Sequence, residues 1–151
     1  MYHKILVAYD GTHPGEAALD QGADLARVCT AELHVLAIVV TAGGLVLDPA
    51  ILSGELLDAE RACLRDALET VASDLARRGI TATTCIRDGD AALEILAYAH
   101  AIKADLVVIG HGHKGLLARW FEGSVGTRLT EAMPCSVLIA AQPEGNSPCQ
   151  S

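Results

Sequence analysis

Asp105-Leu-Val-Val-Ile-Gly110-His-Gly-His-Lys-Gly115, followed by Gly123-Ser124, is the stretch that decides the fold. Leu106 to Ile109 reads as a buried strand, because a short apolar run bounded by turn residues suits the inside of a parallel sheet. The run empties into a glycine-rich loop, and an amphipathic segment begins at Gly123-Ser124. A strand that ends in glycines and leads to a helix start presents bare backbone N–H groups and a positive dipole end to one space, which is how parallel sheets hold phosphate. The pattern is not a Walker loop, since no Gly-Lys-Ser/Thr follows, and the glycines do not open the first strand–helix unit as a dinucleotide fingerprint requires.

The same alternation extends outward. Lys4 to Tyr9 reads as a strand ending at Asp10-Gly11-Thr12, and His13-Pro14 opens a helix, because proline suits the first helical turn. Ala17, Ala18, Leu25 and Val28 suit one face of that helix. Glu32 to Val40 is a second strand, and Thr41 to Ser53 a long, largely apolar connection of the kind that carries function in compact domains. Glu55 to Arg78 is a helix on which Leu57, Leu64, Leu68, Val71 and Leu75 share a face, with Gly79 as its C-terminal cap. Thr81 to Ile86 is a β-branched strand. Asp88-Gly-Asp90 precedes a helix over Ala91 to Ala101, and its acidic start suits the helix dipole. Ser124 to Met133 reads as a helix stopped by Pro134, and Cys135 to Ala141 as a final apolar strand. The polar end, 143–151, is expected to be a disordered tail after a single domain over 1–142. Strands alternating with helices imply a parallel sheet with right-handed crossovers.

Composition narrows the class. The chain has 151 residues, 51% of them hydrophobic and only 3% aromatic, so the core must be built of Val, Ile, Leu and Ala. A net charge of -8, with 19 acidic and 11 basic residues, argues against nucleic acid and anionic membrane surfaces. No apolar run reaches membrane-spanning length, and no signal peptide is expected ahead of the first strand. Cys29, Cys63, Cys85, Cys135 and Cys149 are odd in number and lack CxxC spacing, which reads as reduced, mostly buried thiols in a cytoplasmic protein, with Cys149 exposed.

Several residues carry two readings. Asp10, at the end of the first strand, is either a carboxylate for ribose hydroxyls or a base amine, or a turn residue that caps the following helix. Gly110, Gly112 and Gly115 allow positive φ and close backbone approach. Ser124 is a helix cap and also a phosphate contact. His111 and His113 suit solvent or phosphate better than a metal, for want of a third ligand. Lys114, Arg119 and Arg128 are surface cations near the loop, and Trp120-Phe121 packs the loop down or joins a partner surface. No catalytic constellation is visible.

In these residues the chain resembles the ATP-binding branch of the universal stress protein family. The resemblance runs from Lys4-Ile-Leu-Val-Ala-Tyr-Asp10-Gly through Ala104-Asp-Leu-Val-Val-Ile-Gly110 to Gly123-Ser-Val and Met133-Pro-Cys-Ser-Val-Leu-Ile139. The family's nucleotide motif is a glycine, two residues, a second glycine, nine residues, then glycine and Ser/Thr. Gly110 takes the first place and Gly123-Ser124 the last, while His113 stands where the second glycine would be. The resemblance implies an adenine and ribose site of Ala8, Asp10 and Ile38, with Ile109 and Gly110 beside it. Ala8 and Ile38 are equally read as plain core residues. Phosphates would lie against Gly112, His113, Gly123, Ser124 and Val125, with ATP, with or without magnesium, as ligand. A homodimer through Cys135 to Ala141 is implied as well, and an exposed edge strand would favour it.

The expected fold is an α/β sandwich: a five-stranded parallel sheet in the order 3-2-1-4-5 with helices on both faces, Rossmann-like and of the adenine nucleotide alpha hydrolase-like type. The expected function is that of an ATP-binding, stress-linked regulator, in which nucleotide occupancy changes the 41–53 connection and with it the surface offered to a regulatory protein partner. One alternative is a slow ATPase or phosphotransferase. Another is a dimeric scaffold that binds no nucleotide because His113 fills the space.

Overall fold

The computed structural model describes residues 1–40, 54–111 and 131–141. Along the chain run β1 (Lys4–Tyr9), α1 (His13–Cys29), β2 (Glu32–Val40), α2 (Gly54–Arg77), β3 (Ala82–Gly89), α3 (Ala91–Ile102), β4 (Leu106–Gly110) and β5 (Ser136–Ala140). The five strands form one parallel sheet in the order β3-β2-β1-β4-β5, as the sequence leads one to expect.

Strand alternation sorts the core into two layers. Ile5, Val7 and Tyr9 of β1 lie with Leu33, Val35, Ala37 and Val39 of β2 and Leu106 and Val108 of β4 beneath α1 and α2. Leu6, Ala8, Leu36, Ile38, Val107 and Ile109 point the other way, onto Ala91, Ala92, Ile95, Tyr98 and Ala99 of α3. Right-handed crossovers explain the division: the chain moves outward from β1 to β3 over one face, then returns past β1 to β4 over the other. Aliphatic side chains and alanines carry the core, and Tyr9 and Tyr98 are its aromatic members among the described residues.

Helix α1 seats closely on the sheet because its inner face is small. Gly15, Ala18, Leu19, Gly22, Ala23 and Ala26 are the buried residues, at helical spacings of three and four. A Cβ on Gly22 would fall 2.4 Å from Cγ2 of Val7, so glycine is what allows the approach. This face differs from the expected one: Val28 is 70% exposed and lies off it. The expected face on α2 is present, with Leu64, Leu68, Val71 and Leu75 buried and Leu57 packed at its edge. Gly79 ends α2 at a φ of 76°, and Ile80 N–H donates to the Leu75 carbonyl at 2.9 Å.

Strand β3 continues past the expected end at Ile86, pairing with β2 as far as Val40↔Gly89. An edge strand tolerates Arg87 and Asp88 because one side of it meets water. Gly89 adopts a φ of 145°, which frees Asp90 to cap α3 by accepting the Leu93 N–H at 3.0 Å. The thiols are less buried than composition suggests. Cys29, Cys85 and Cys135 are half-buried and Cys63 is exposed, and none of the four is in a disulfide. Small aliphatic residues, rather than cysteines, fill the tight positions under the helices. Among the described residues, no helix is long and apolar enough to cross a membrane. The connection over 41–53, most of the helix over 124–133, Cys149 and the 143–151 tail lie outside the described residues; Glu131 and Ala132 are helical.

Asp105 ties the start of β1 to the start of β4. Its carboxylate accepts the His3 N–H at 2.7 Å and the Lys4 N–H at 3.0 Å, and its own N–H donates to the Lys4 carbonyl at 3.0 Å. Partial burial disfavours the charged form, yet the hydrogen bonds from His3 and Lys4 outweigh it and hold the carboxyl below its usual pKa. A depressed folded pKa contributes stability above the unfolded pKa, and that stability is lost as pH falls through the folded value. Thermal melts of Asp105→Ala should show a loss of roughly 1–2 kcal/mol at pH 7, shrinking as both proteins are taken below about pH 3.

Candidate functional site

The strand order reverses between β1 and β4, and ligands of doubly wound sheets bind beyond the carboxyl ends of the strands at such a point. Register sets which side chains meet there. Val7 pairs with Val108, so one step further Ala8 stands level with Ile109; on the other side Ala8 pairs with Leu36 and Tyr9 with Ala37, which brings Ile38 level with Asp10. Ala8, Ile38 and Ile109 belong to a single cluster on the α3 face, with Ala91 and Ala92 of α3 beneath them. The five described residues of the expected nucleoside site, Ala8, Asp10, Ile38, Ile109 and Gly110, therefore lie on adjacent strand ends. All three apolar members are at most 6% exposed and belong to the core.

Of the two readings of Asp10, the structure shows the turn role. Its Oδ1 accepts the Thr12 N–H at 3.0 Å and the Thr12 hydroxyl at 2.5 Å, and Thr12 in turn accepts the Gly15 N–H at 3.3 Å as the N-cap of α1. Asp10 thus fixes the turn that aims α1, with its carboxylate at the rim of the cleft. Tyr9, just before it, faces the opposite layer. Burial raises the pKa of its hydroxyl, and the Glu16 and Asp10 carboxylates push in the same direction, so it stays neutral.

Gly110 is explained by close approach, the second of the two reasons the sequence offers, with the chain's own α1 as the neighbour. Its φ is not among the positive values, so conformational freedom does not select glycine here. A Cβ at this position would lie 2.1 Å from the Pro14 carbonyl oxygen and 3.0 Å from the Gly15 nitrogen. The end of β4 is pressed, backbone to backbone, against the first turn of α1. Gly15 answers the same crowding from the other side, since a Cβ there would meet Asp10 Oδ1 at 2.4 Å. The sequence reading took Pro14 only as a helix start and passed over Gly15. The available signal was glycine in a first helical turn right after proline, a costly choice unless something approaches closely.

His111 follows, exposed, with its N–H donating to the Ala140 carbonyl at 3.0 Å, which ties the loop's first residue to the end of β5. No group of three or more metal-ligating side chains occurs among the described residues. The expected phosphate contacts Gly112, His113, Gly123, Ser124 and Val125 lie outside the described residues, as do Lys114, Gly115, Arg119, Trp120, Phe121 and Arg128.

Comparison with known proteins bears on this arrangement. The model of the universal stress protein family matches residues 1–141. The chain belongs to the universal stress protein family. It is similar to the universal stress protein YxiE of Bacillus subtilis, 32% identical over 92% of this chain and 99% of that one. A universal stress protein family structure from Burkholderia pseudomallei is 31% identical, with a TM-score of 0.69 over 91% of this chain and 95% of that one. The fold also matches, at 21% identity and a TM-score of 0.63, a universal stress protein in complex with cAMP that covers 96% of its own length and 91% of this chain. An Arabidopsis thaliana family protein with AMP bound matches at 16% and 0.58, over 98% of this chain and 97% of its own. Within this universal stress protein, the first motif glycine is demanded by packing before any ligand is considered. Gly110→Ala should therefore destabilise the protein by about 1–3 kcal/mol in chemical denaturation without nucleotide present; an unchanged midpoint would show that the two backbones are not in contact.

Proposed function

We propose that this universal stress protein binds an adenine nucleotide, ATP in particular, in the cleft at the ends of β1, β2 and β4, and acts as a regulator whose surface depends on occupancy. The observation that carries the reading is the convergence of Ala8, Asp10, Ile38, Ile109 and Gly110 on one point of strand-order reversal. The donor set suits a nucleoside: an apolar wall for the base and a carboxylate at its rim for ribose hydroxyls. The cAMP- and AMP-bound relatives of the same fold support an adenine ligand. Gly112, His113, Gly123, Ser124 and Val125 would face the phosphates, with the N-terminus of the helix from Ser124 supplying N–H groups and positive dipole. Bound ATP brings a triphosphate and the magnesium that accompanies it. The protein's part is to hold and orient it.

We also propose a homodimer that pairs copies through β5, extending the expected Cys135–Ala141 strand. β5 is the outer strand on the β4 side of the sheet, where its free edge offers main-chain groups to a second strand.

Binding to the native state alone should raise the unfolding free energy by about 2.7 kcal/mol at a nucleotide concentration of 100 times Kd. Isothermal titration should give measurable ATP affinity in the wild type and none in Gly123→Val, with unchanged circular dichroism. Asp10→Ala should bind about tenfold more weakly, equivalent to about 1.4 kcal/mol. His113→Gly should change the affinity, since it restores the motif glycine. Equal ATP affinity in wild type and Gly123→Val would refute the phosphate site. No binding by wild type, with binding gained in His113→Gly, would instead make the natural chain a scaffold.

A further inference from the structure

The last residues of β3 are clipped to helices on both faces of the sheet. Asp88 turns to one face and meets Arg61 of α2. Arg87 turns to the other, where one guanidinium serves two residues of α3. Its Nη1 lies 3.8 Å from Oε2 of Glu94, and its Cζ stands 5.0 Å from the ring centroid of Tyr98. Glu94 and Tyr98 are four residues apart, so they share one stripe of the helix and a single planar cation can bridge them. Tyr98 is itself keyed into β2. Its hydroxyl is 3.4 Å from Nδ1 of His34, and the two rings meet edge to face with centroids 6.1 Å apart. Gly89 makes room for this network. A Cβ there would lie 3.0 Å from Oε1 and 3.1 Å from Cγ of Glu94, whose side chain packs against that backbone.

The network bears on the strand ends. Helix α3 buries Ala91, Ala92, Ile95, Tyr98 and Ala99. Alanines interlock little with a sheet, so few large side chains set the rotation and height of this helix. Ala91 and Ala92 open its first turn and share one buried cluster with Ala8, Ile38 and Ile109. Arg87 is level with Ile38 on the neighbouring strand.

We propose that Arg87 is a positioning residue for the nucleotide site: through Glu94 and Tyr98 it fixes the first turn of α3 against Ile38, and so fixes the apolar wall offered to the base. The inference rests on the nucleotide reading of the cleft above and adds to it a residue that does not meet the ligand. Tyr98 lies about two turns into α3 and meets His34, four residues before Ile38 on β2, so the guanidinium points away from the strand ends. Affinity depends on how firmly a site is held before its ligand arrives, so loosening a supporting group weakens binding although no contact to the ligand is lost.

Isothermal titration of the full chain with ATP and magnesium tests the proposal, under conditions where circular dichroism shows every variant folded. Arg87→Gln and Glu94→Gln, both at half-buried positions, should each raise Kd by about threefold or more. The double variant should bind no more weakly than either single one, because both act through one ion pair. Asp105→Ala loosens the opposite ends of β1 and β4; it should lower the melting temperature and leave Kd unchanged. Without nucleotide, amide shifts in Arg87→Gln should reach Ala91, Ala92 and Ile38. Given a wild type that binds, an unchanged Kd in Arg87→Gln would overturn the positioning role and leave the nucleotide reading standing. So would additive weakening in the double variant, equal weakening by Asp105→Ala, or amides of Ala91 and Ala92 that stay in place. A wild type without affinity for ATP would overturn the nucleotide reading itself, and the role of Arg87 with it.

Discussion

Gly110 and the Pro14–Gly15 peptide share a space too small for one methyl group, and much of the molecule's upper end is arranged around that contact. β1 and β4 are neighbours although residues 10–105 separate them, and α1 must leave β1 without colliding with the end of β4. Two glycines make this possible, one on each backbone. Asp10 and Thr12 then fix the direction of departure through a chain of hydrogen bonds that ends on the first turn of α1. The cleft is the open side of this junction. The geometry of its described residues is set by packing.

The division of the core into two layers has consequences at both ends of the sheet. On the α3 face, small residues on α3 (Ala91 and Ala92) let the strand ends carrying Ala8, Ile38 and Ile109 come together as a wall. On the α1 face, the same crossover rule leaves the outer strand without a helix of its own, and Leu25, Val28 and Leu138 line an open groove. One topological fact, the reversal between β1 and β4, thus generates a cleft at the strand ends and an unfilled border along the outer strand. Strand ends and groove are separate places joined by α1, whose first turn meets the end of β4 and whose last turn borders the groove.

Much of this was legible in the chain. Strand starts and the buried stripe of α2 follow from apolar period and from glycine and proline punctuation, because burial on both faces leaves few other ways to place Val, Ile and Leu, while the strand order was expected with the family resemblance. Asp10 and Gly110 stand out as strand-end residues, whereas Ala8, Ile38 and Ile109 were named through the family resemblance; the structure places all five on adjacent strand ends. What escaped is instructive. The inner face of α1 was misjudged because close helix–sheet contact selects glycine and alanine, which a search for large apolar residues passes over; Val28 looked buried and is not. The end of β3 was placed too early because Arg87 and Asp88 read as a turn, although an edge strand carries such residues without cost. Close approach at Gly110 was legible, but that the approaching backbone is the first turn of α1 needs three dimensions to see.

Backbone NMR of the full-length protein during titration with ATP and magnesium tests the central claim most directly. Amide shifts should concentrate at Ala8, Asp10, Ile38, Ile109 and Gly110 and at the first turn of α1, and saturate with a single constant. Shifts confined to β5 and the far end of α1, or no shifts at millimolar nucleotide, would contradict the account.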